Sequence, residues 1–366
     1  MKKKIAILPG DGIGKEVIRE AVKVLDAIAT VFGHDFTYEE GLIGASAIDA
    51  VGDPFPLETE NLCKKSHAVL FGAIGDPKYD NDPSAKVRPE QGLLKMRENL
   101  GLFANVRPIK SYPPLYSKSP LKDSRIKDVD FVVYRELTGG IYFGKPRGRS
   151  EDGFQAFDTC LYNREEISRI AKMAFEAAQL RKGKVTLVDK ANVLATSRLW
   201  REEVKLVSEE YKDVKLEFMF VDNAAMKIIT QPSHFDVVLT ENLFGDILTD
   251  EASVIAGSLG LLPSASVGHE TKLFEPIHGS YPEVAGKDIA NPLAAILSAA
   301  LMMEMALNAS AEAELIREAV LFSMEKGIVT QDIDPVSSFT TSKVGEYIAD
   351  YIYAKNVDDP NPMTII

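Results

Sequence analysis

The sequence predicts an α/β protein with a substantial parallel component, and three observations carry that prediction. Short apolar runs recur along the chain, each closing on glycines or polar residues. Stretches with helical spacing of apolar side chains lie between several of them. Four of the runs end in charged or amide groups, where an open α/β sheet forms its ligand sites.

The first run is KIAIL, residues 4–8, followed by a glycine-rich turn. From Lys15 onward Ile18, Ala21, Val22, Leu25 and Ile28 recur at helical spacing, and the pattern stops near Gly33. This is strand, turn, helix. HAVLFGAIG (67–75), DFVVYRELTGG (130–140), KVTLVDKAN (184–192), KLEFMFVDNAA (215–225) and FDVVLTENLFGD (235–246) repeat the strand pattern. Their polar ends are Arg135–Glu136, Asp189–Lys190, Asp222–Asn223 and Glu241–Asn242. One such end is an ordinary solvated loop; four in one chain point to a shared polar cleft. Residues 139–162 differ, being short, partly alternating and interrupted by GKPRGRSEDG. They read as an excursion with a turn, an arm suited to pairing with another subunit.

Bulk properties narrow the partners. At 366 residues the chain has room for about two domains. A net charge of −12 argues against nucleic acid and anionic membrane, which require a basic footprint. Cys63 and Cys160 offer no metal spacing, and both read as reduced thiols in a cytosolic protein. The apolar stretch before Pro9 is too short for a signal peptide, and that around 293–303, stopped by Glu304, is too short to span a bilayer.

Several stretches hold candidate chemistry. GDGIG (10–14) is spaced G-x-G-x-G, and Asp11 puts negative charge where a pyrophosphate would sit. A tight strand-to-helix turn explains these glycines without a cofactor. Asp246 and Asp250 are i, i+4 on a helical pattern with no lysine between them. Like charges at that spacing repel. The pair is either a solvated acidic face or two hard oxygen ligands for Mg²⁺ or Mn²⁺, with Asp222 a candidate third. Arg97, Arg107 and Arg135 lie in or beside apolar segments. Singly, a structural ion pair is the simpler reading of each; gathered in one cleft they would grip carboxylates. Lys190, at the end of an apolar strand, is a candidate base, and Tyr142 a candidate acid. HGSYPEVAGKDIANP (278–292) is loop-like, and reads either as a structured surface loop or as an adenosine-binding loop with Glu283 placed for ribose hydroxyls.

One further stretch, EQGLLKMR (90–97), sets Glu90, Leu93, Leu94 and Arg97 on a single helical face. Two leucines between an acid and a base form either a core-packing stripe or a wall facing a ligand with an apolar branch beside an anionic group.

Taken together, GDGIG, LLKMR with NVRP, YRELTGGIYFGKPRG, DKANV, ENLFGDILTD and EPIHGSYPEVAGKDIANP resemble the β-decarboxylating dehydrogenases, from residue 4 to about 350. The resemblance implies an open, mixed-sheet, two-domain α/β fold of the isopropylmalate-dehydrogenase type that is not a Rossmann fold. It implies a discontinuous first domain, 1–102 with 257–366. The second domain, 103–256, would carry the arm and a dimer interface. It implies that Arg97, Arg107 and Arg135 hold substrate carboxylates, that Tyr142 and Lys190 are acid and base, and that Asp222, Asp246 and Asp250 bind Mg²⁺ or Mn²⁺. Lys190 and Asp222 would reach the partner's site in a homodimer. Asn192 and Val193 would line the site near nicotinamide and substrate.

Family members that use isocitrate carry polar groups where this chain has Leu93 and Leu94. An apolar wall there, with Glu90 repelling a third carboxylate, implies oxidation and decarboxylation of 3-isopropylmalate in leucine biosynthesis, in the cytoplasm. Members acting on malate, tartrate or homoisocitrate are the nearest alternatives, and a non-catalytic regulatory subunit a more distant one. The cofactor-binding set would be Glu275, His278, Gly279, Ser280, Tyr281, Pro282, Glu283, Ala290 and Asn291, together with Asn192. The acid at 283 favours NAD over NADP, since it repels a 2′-phosphate and accepts from ribose hydroxyls. Glu283 is one methylene longer than the family's usual Asp, and Tyr281 replaces a common Ala; a ring at 281 is placed to stack on adenine.

Overall fold

A computed structural model describes residues 1–81 and 85–355. Its strands, in chain order, are β1 (Lys2–Gly10), β2 (Asp35–Glu40), β3 (Ala68–Ala73), β4 (Ala104–Lys110), β5 (Asp130–Glu136), β6 (Arg147–Arg149), β7 (Ala156–Asp158), β8 (Lys184–Asp189), β9 (Lys215–Phe220), β10 (Val237–Thr240), β11 (Pro263–Val267) and β12 (Lys272–Pro276). The chain divides into two compact units, Met1–Gly101 with Ser258–Ile366, and Leu102–Gly257.

In the first unit the strands run β2-β1-β3-β12-β11. Only β11 is antiparallel to its neighbour β12. The fully buried β3, AVLFGA, is continuous apolar, as expected of a parallel strand covered on both faces. Helix Gly14–Phe32 buries Val17, Ile18, Ala21, Val24, Leu25 and Ile28, and ends where Gly33 turns left-handed at φ 67°. Helix Leu293–Met305 is buried on every side through Met303, the pattern of a central core helix. No helix among the described residues is long and apolar enough to cross a membrane.

In the second unit the order is β4-β5-β10-β8-β9. Here β4 is antiparallel to β5, and β5, β10, β8 and β9 are parallel. Parallel strands need crossovers, which helices Arg164–Gln179, Ala195–Ser208 and Val221–Thr230 supply. The first is capped by Asn163, whose side chain accepts from the Glu166 amide while Glu166 reaches back. Residues 139–162 do leave the unit's sheet: β6 and β7 form a separate two-stranded antiparallel ribbon, exposed throughout.

Two of the four polar strand ends pass directly into helices, Asp222–Asn223 after β9 and Glu241–Asn242 after β10. Asp222 and Asn223 lie in the first turn of helix Val221–Thr230, because β9 passes into that helix at Val221 with no turn residues between. Asp222 thus sits at a helix N-terminus, where a carboxylate is favoured.

Candidate active site

In the second unit the helix Asn242–Ser253 carries Asp246 and Asp250 one turn apart. Neither is a bare charge. Arg135, at the end of β5, donates from Nη1 to Asp246 Oδ1 at 2.5 Å, and the Tyr142 hydroxyl donates to Asp246 Oδ2 at 2.7 Å. Arg107 on β4 approaches Asp250 at 3.5 Å and also donates to Asn105 Oδ1 and Thr249 Oγ1. Arg135 is 2 % exposed and Arg107 9 %, so both guanidiniums are stored against carboxylates and amides rather than in water. Gly245 makes the packing possible: a Cβ there would lie 2.6 Å from Arg135 Cγ.

Lys190 follows β8 and Asp222 follows β9. Their side chains meet at 2.7 Å, and the ammonium holds the Asp222 carboxyl below the usual range. Asn192 and Val193, in the same loop as Lys190, are exposed. Among the described residues no three His, Cys, Asp or Glu side chains form a metal cluster, so Asp222 does not join Asp246 and Asp250 within one chain. What the helix does offer is two hard oxygen donors on one face, a donor type that suits Mg²⁺ or Mn²⁺.

Three of the polar strand ends expected from the sequence form a row of acids. Glu136, Glu241 and Asp189 end the adjacent strands β5, β10 and β8. Glu136 accepts from the Thr138 and Gly139 amides, and Asp189 from Arg201 and the Ala191 amide. Glu241, between them in the sheet, is 5 % exposed and its Oε2 has no partner. Burial, and then the charges of Asp189 and Glu136, push its carboxyl up to about 7.

In the first unit, helix Pro89–Asn99 resolves the question of the leucine stripe. Its core-facing residues are Pro89, Gly92 and Met96. Gly92 is needed for that contact, since a Cβ would lie 2.5 Å from the Pro54 carbonyl oxygen. The stripe of Glu90, Leu93, Leu94 and Arg97 is therefore not the core face: Glu90 and Leu94 are exposed and Leu93 half-buried. Arg97 lies 3.9 Å from Glu275 of β12, and its Nε is buried with no hydrogen-bond partner. A buried donor without an acceptor costs free energy unless a ligand supplies one.

The GDGIG turn is structural. Asp11 is buried and accepts from the amides of Ala45, Ser46 and Gly75, and burial pushes its carboxyl up. Gly12, at φ 52°, passes so close to Ser280 that a Cβ would meet the Ser280 carbonyl oxygen at 2.0 Å, and the Ile13 amide donates to that oxygen. Glu16 accepts from the amides of Gly286 and Asp288. The first turn of the chain thus anchors the 278–292 loop.

Beside that loop opens a groove of about 570 Å³, lined by Ile13, Leu259, Tyr281, Val284 and Ile289 on its apolar side. Its other walls include Gly279, Ala290, Ser258, Asn291, Gln331, Asp332 and His278. Asp332 accepts from Ser258 and Asn291, and burial lowers the pKa of His278 and leaves its Nε2 unpaired. Of the expected cofactor residues, His278, Gly279, Tyr281, Ala290 and Asn291 line the groove. Glu275, Ser280, Pro282 and Glu283 do not: Ser280 is turned under the GDGIG loop, Glu275 faces Arg97, and Glu283 is exposed on the Pro282–Val284 turn. Asn192 belongs to the other unit.

Two parallel-rich units, arginines held against carboxylates and an apolar groove beside an anchored loop are the parts that a site for small anionic ligands requires. The chain belongs to the isocitrate/isopropylmalate dehydrogenase family, whose sequence model matches residues 4–348. It is 54 % identical over 351 residues to a 3-isopropylmalate dehydrogenase of Bacteroides fragilis, covering 95 % of this chain and 98 % of that one. It is 56 % identical over 335 residues to the enzyme of that name from Geobacillus kaustophilus, covering 91 % and 90 %. Among solved structures, isocitrate dehydrogenase from Methylococcus capsulatus superposes with a TM-score of 0.86 at 33 % identity, covering 96 % of this chain and 99 % of that one.

Proposed function

We propose that the chain oxidises 3-isopropylmalate with NAD⁺ and a divalent metal, giving 4-methyl-2-oxopentanoate, CO₂ and NADH for leucine biosynthesis. The carrying observation is the non-core stripe of Leu93 and Leu94 ending at Arg97, whose Nε lacks an acceptor. Such a surface suits an isopropyl branch beside a carboxylate, and the Bacteroides and Geobacillus relatives carry the name of that activity.

In this reading Arg97, Arg107 and Arg135 bind the two carboxylates. Lys190 of the partner subunit holds and accepts the hydroxyl proton, and NAD⁺, when bound, would supply the acceptor for the hydride of the carbinol carbon. Asp246 and Asp250, with Asp222 of the partner subunit, would hold Mg²⁺ or Mn²⁺, which would supply Lewis-acid polarisation of the substrate oxygen. The bond to the β-carboxylate then breaks, its electrons pass into an enol, and Tyr142 delivers the proton that converts the enol to the product ketone. Asp246 already orients the Tyr142 hydroxyl at 2.7 Å.

The chain works as a homodimer with shared sites. Supporting this, large apolar side chains stand exposed in the second unit: Val193, Leu206, Met226 and Ile247. The 570 Å³ groove takes the adenosine end of NAD⁺, and Glu283 beside it disfavours a 2′-phosphate. The test is the initial rate of reduced-cofactor formation with 3-isopropylmalate and Mg²⁺, using NAD⁺ and NADP⁺ in parallel, with isocitrate, malate and tartrate as controls. Turnover of isopropylmalate with NAD⁺ alone supports the reading; preference for another hydroxy acid overturns the reading of the leucine face.

A further inference from the structure

Asn242 is buried at the start of the helix that bears Asp246 and Asp250, and every polar atom of its side chain is used. Its Oδ1 accepts from Arg135 Nη2 at 2.9 Å and from Nε at 3.2 Å. Its main-chain carbonyl accepts from the same Nε at 2.9 Å. Its Nδ2 donates to the carbonyl of Gly139, one residue before the Gly140–Tyr142 turn. Its amide N–H donates to the buried Tyr162 hydroxyl at 2.9 Å. The Tyr162 ring in turn packs on Gly139 and Gly140, where a Cβ would approach it to 2.6 and 2.3 Å.

One amide therefore ties together three things that the reaction needs in fixed relation. These are the guanidinium of Arg135, the turn presenting Tyr142 and the helix presenting the two aspartates. The amide orientation is unambiguous, since the reverse would aim an NH₂ at the guanidinium donors. A carboxylate in its place would keep the contact to Arg135 but neutralise that cation, and would face the Gly139 carbonyl with oxygen against oxygen.

Resting on the function proposed above, we propose that Asn242, braced by Tyr162, is the positioning residue that sets the Arg135–Tyr142 geometry of the site. It touches no reacting atom and acts through these two neighbours.

The test is steady-state kinetics on the full-length chain with Mg²⁺, for the parent, Asn242→Asp, Asn242→Ala and Tyr162→Phe, beside thermal unfolding of each. Asn242→Asp is nearly isosteric, and the unfolding measurement checks that it keeps the fold. We expect its KM for the hydroxy acid to rise at least tenfold and its kcat to fall, with KM for NAD⁺ changed less than twofold. Tyr162→Phe, which removes the acceptor for the Asn242 amide, should give a smaller change, about threefold, in the same direction. The proposal is overturned if Asn242→Asp keeps the parent's KM for the hydroxy acid. It is equally overturned if KM for both substrates and the melting temperature move together, the mark of a merely structural residue. Should the parent chain turn over a different hydroxy acid, the substrate assignment fails, and the same KM split measured with that acid still decides the role of Asn242.

Discussion

The two units present their site groups in opposite ways. In the second unit the charged side chains are stored against internal partners: Arg135 with Asp246, Arg107 with Asp250, Lys190 with Asp222. In the first unit the backbone is braced by buried carboxylates at Asp11 and Glu16, while donors that face the proposed ligands, Arg97 Nε and His278 Nε2, lack partners. The difference is physical. Groups that act on developing charge must be ready yet cannot sit alone in a partly desolvated cleft, so ion pairs hold them until ligands replace the partners. A surface that only recognises shape and a fixed acceptor can be preformed, leaving a few donors open.

The largest effect that sharpens this contrast is at Lys190. Lys190→Met should lower kcat by roughly a thousandfold, with KM for isopropylmalate changed little, because a base is lost and binding contacts are kept. Asp222 loses the partner that depresses its pKa, so its carboxyl should titrate upward toward the ordinary range. An unchanged kcat would remove Lys190 from the chemistry and leave the pair a surface ion pair.

Glu241 breaks the rule that acids of the second unit have partners, and that makes it a test of the rule. Its folded-state pKa is raised from 4.5 to about 7 by burial. The folded chain therefore keeps a proton that the unfolded chain releases. That stabilising contribution is fully present below pH 4.5 and is lost as pH rises through about 7. The shift corresponds to about 3 kcal/mol at most. Glu241→Gln should flatten the fall in stability between pH 5 and 8 in urea unfolding, and make the protein about 2–3 kcal/mol more stable at pH 8. A variant that is less stable at pH 8 would mean that the charged carboxylate has a favourable partner in the assembled protein.

On the first unit, the two faces of helix Pro89–Asn99 can be separated. Leu94→Asn should raise KM for isopropylmalate tenfold or more, about 1–3 kcal/mol, with little loss of melting temperature since Leu94 is 39 % exposed. Met96→Ala, on the buried face, should lose stability instead. If Leu94→Asn destabilises the protein as Met96→Ala does, the stripe is packed rather than displayed.

How far the sequence could carry the reader follows from the same division. Strands β1, β3, β5, β8, β9 and β10 are legible because their apolar runs stop at glycines or charged groups; β2, β4, β11 and β12 carry no such signal. Asp222 reads as a strand end and not also as a helix start because β9 and its helix join at apolar Val221, leaving no break. The helix face of Leu93 and Leu94 stayed open, because glycine at 92 carries no sign that it packs against Pro54. Leu259, Gln331 and Asp332 come to the groove from loops without periodicity, and only the fold gathers them. Asn242 is legible only as a polar strand end: an amide has no charge, and its worth lies in the three residues it joins, Arg135, Gly139 and Tyr162.

The smallest expected effect lies at Tyr281, where binding and stability should part company. Tyr281 is the exposed apolar edge of the groove, and its backbone is left-handed at φ 38°, ψ 63°. A side chain there costs about 1–2 kcal/mol that glycine escapes. Tyr281→Ala removes the ring but keeps the Cβ strain; Tyr281→Gly removes both. Loss of ring stacking should weaken AMP binding about threefold to tenfold in both variants, measured by calorimetry. Stability should respond only to the backbone, so the glycine variant should unfold at a slightly higher temperature than the alanine variant. Equal AMP affinity in all three proteins would take the ring out of the adenine site. Equal stability of the glycine and alanine variants would mean that the loop, anchored through Ser280 and Glu16, relaxes out of the left-handed turn once the tyrosine is gone.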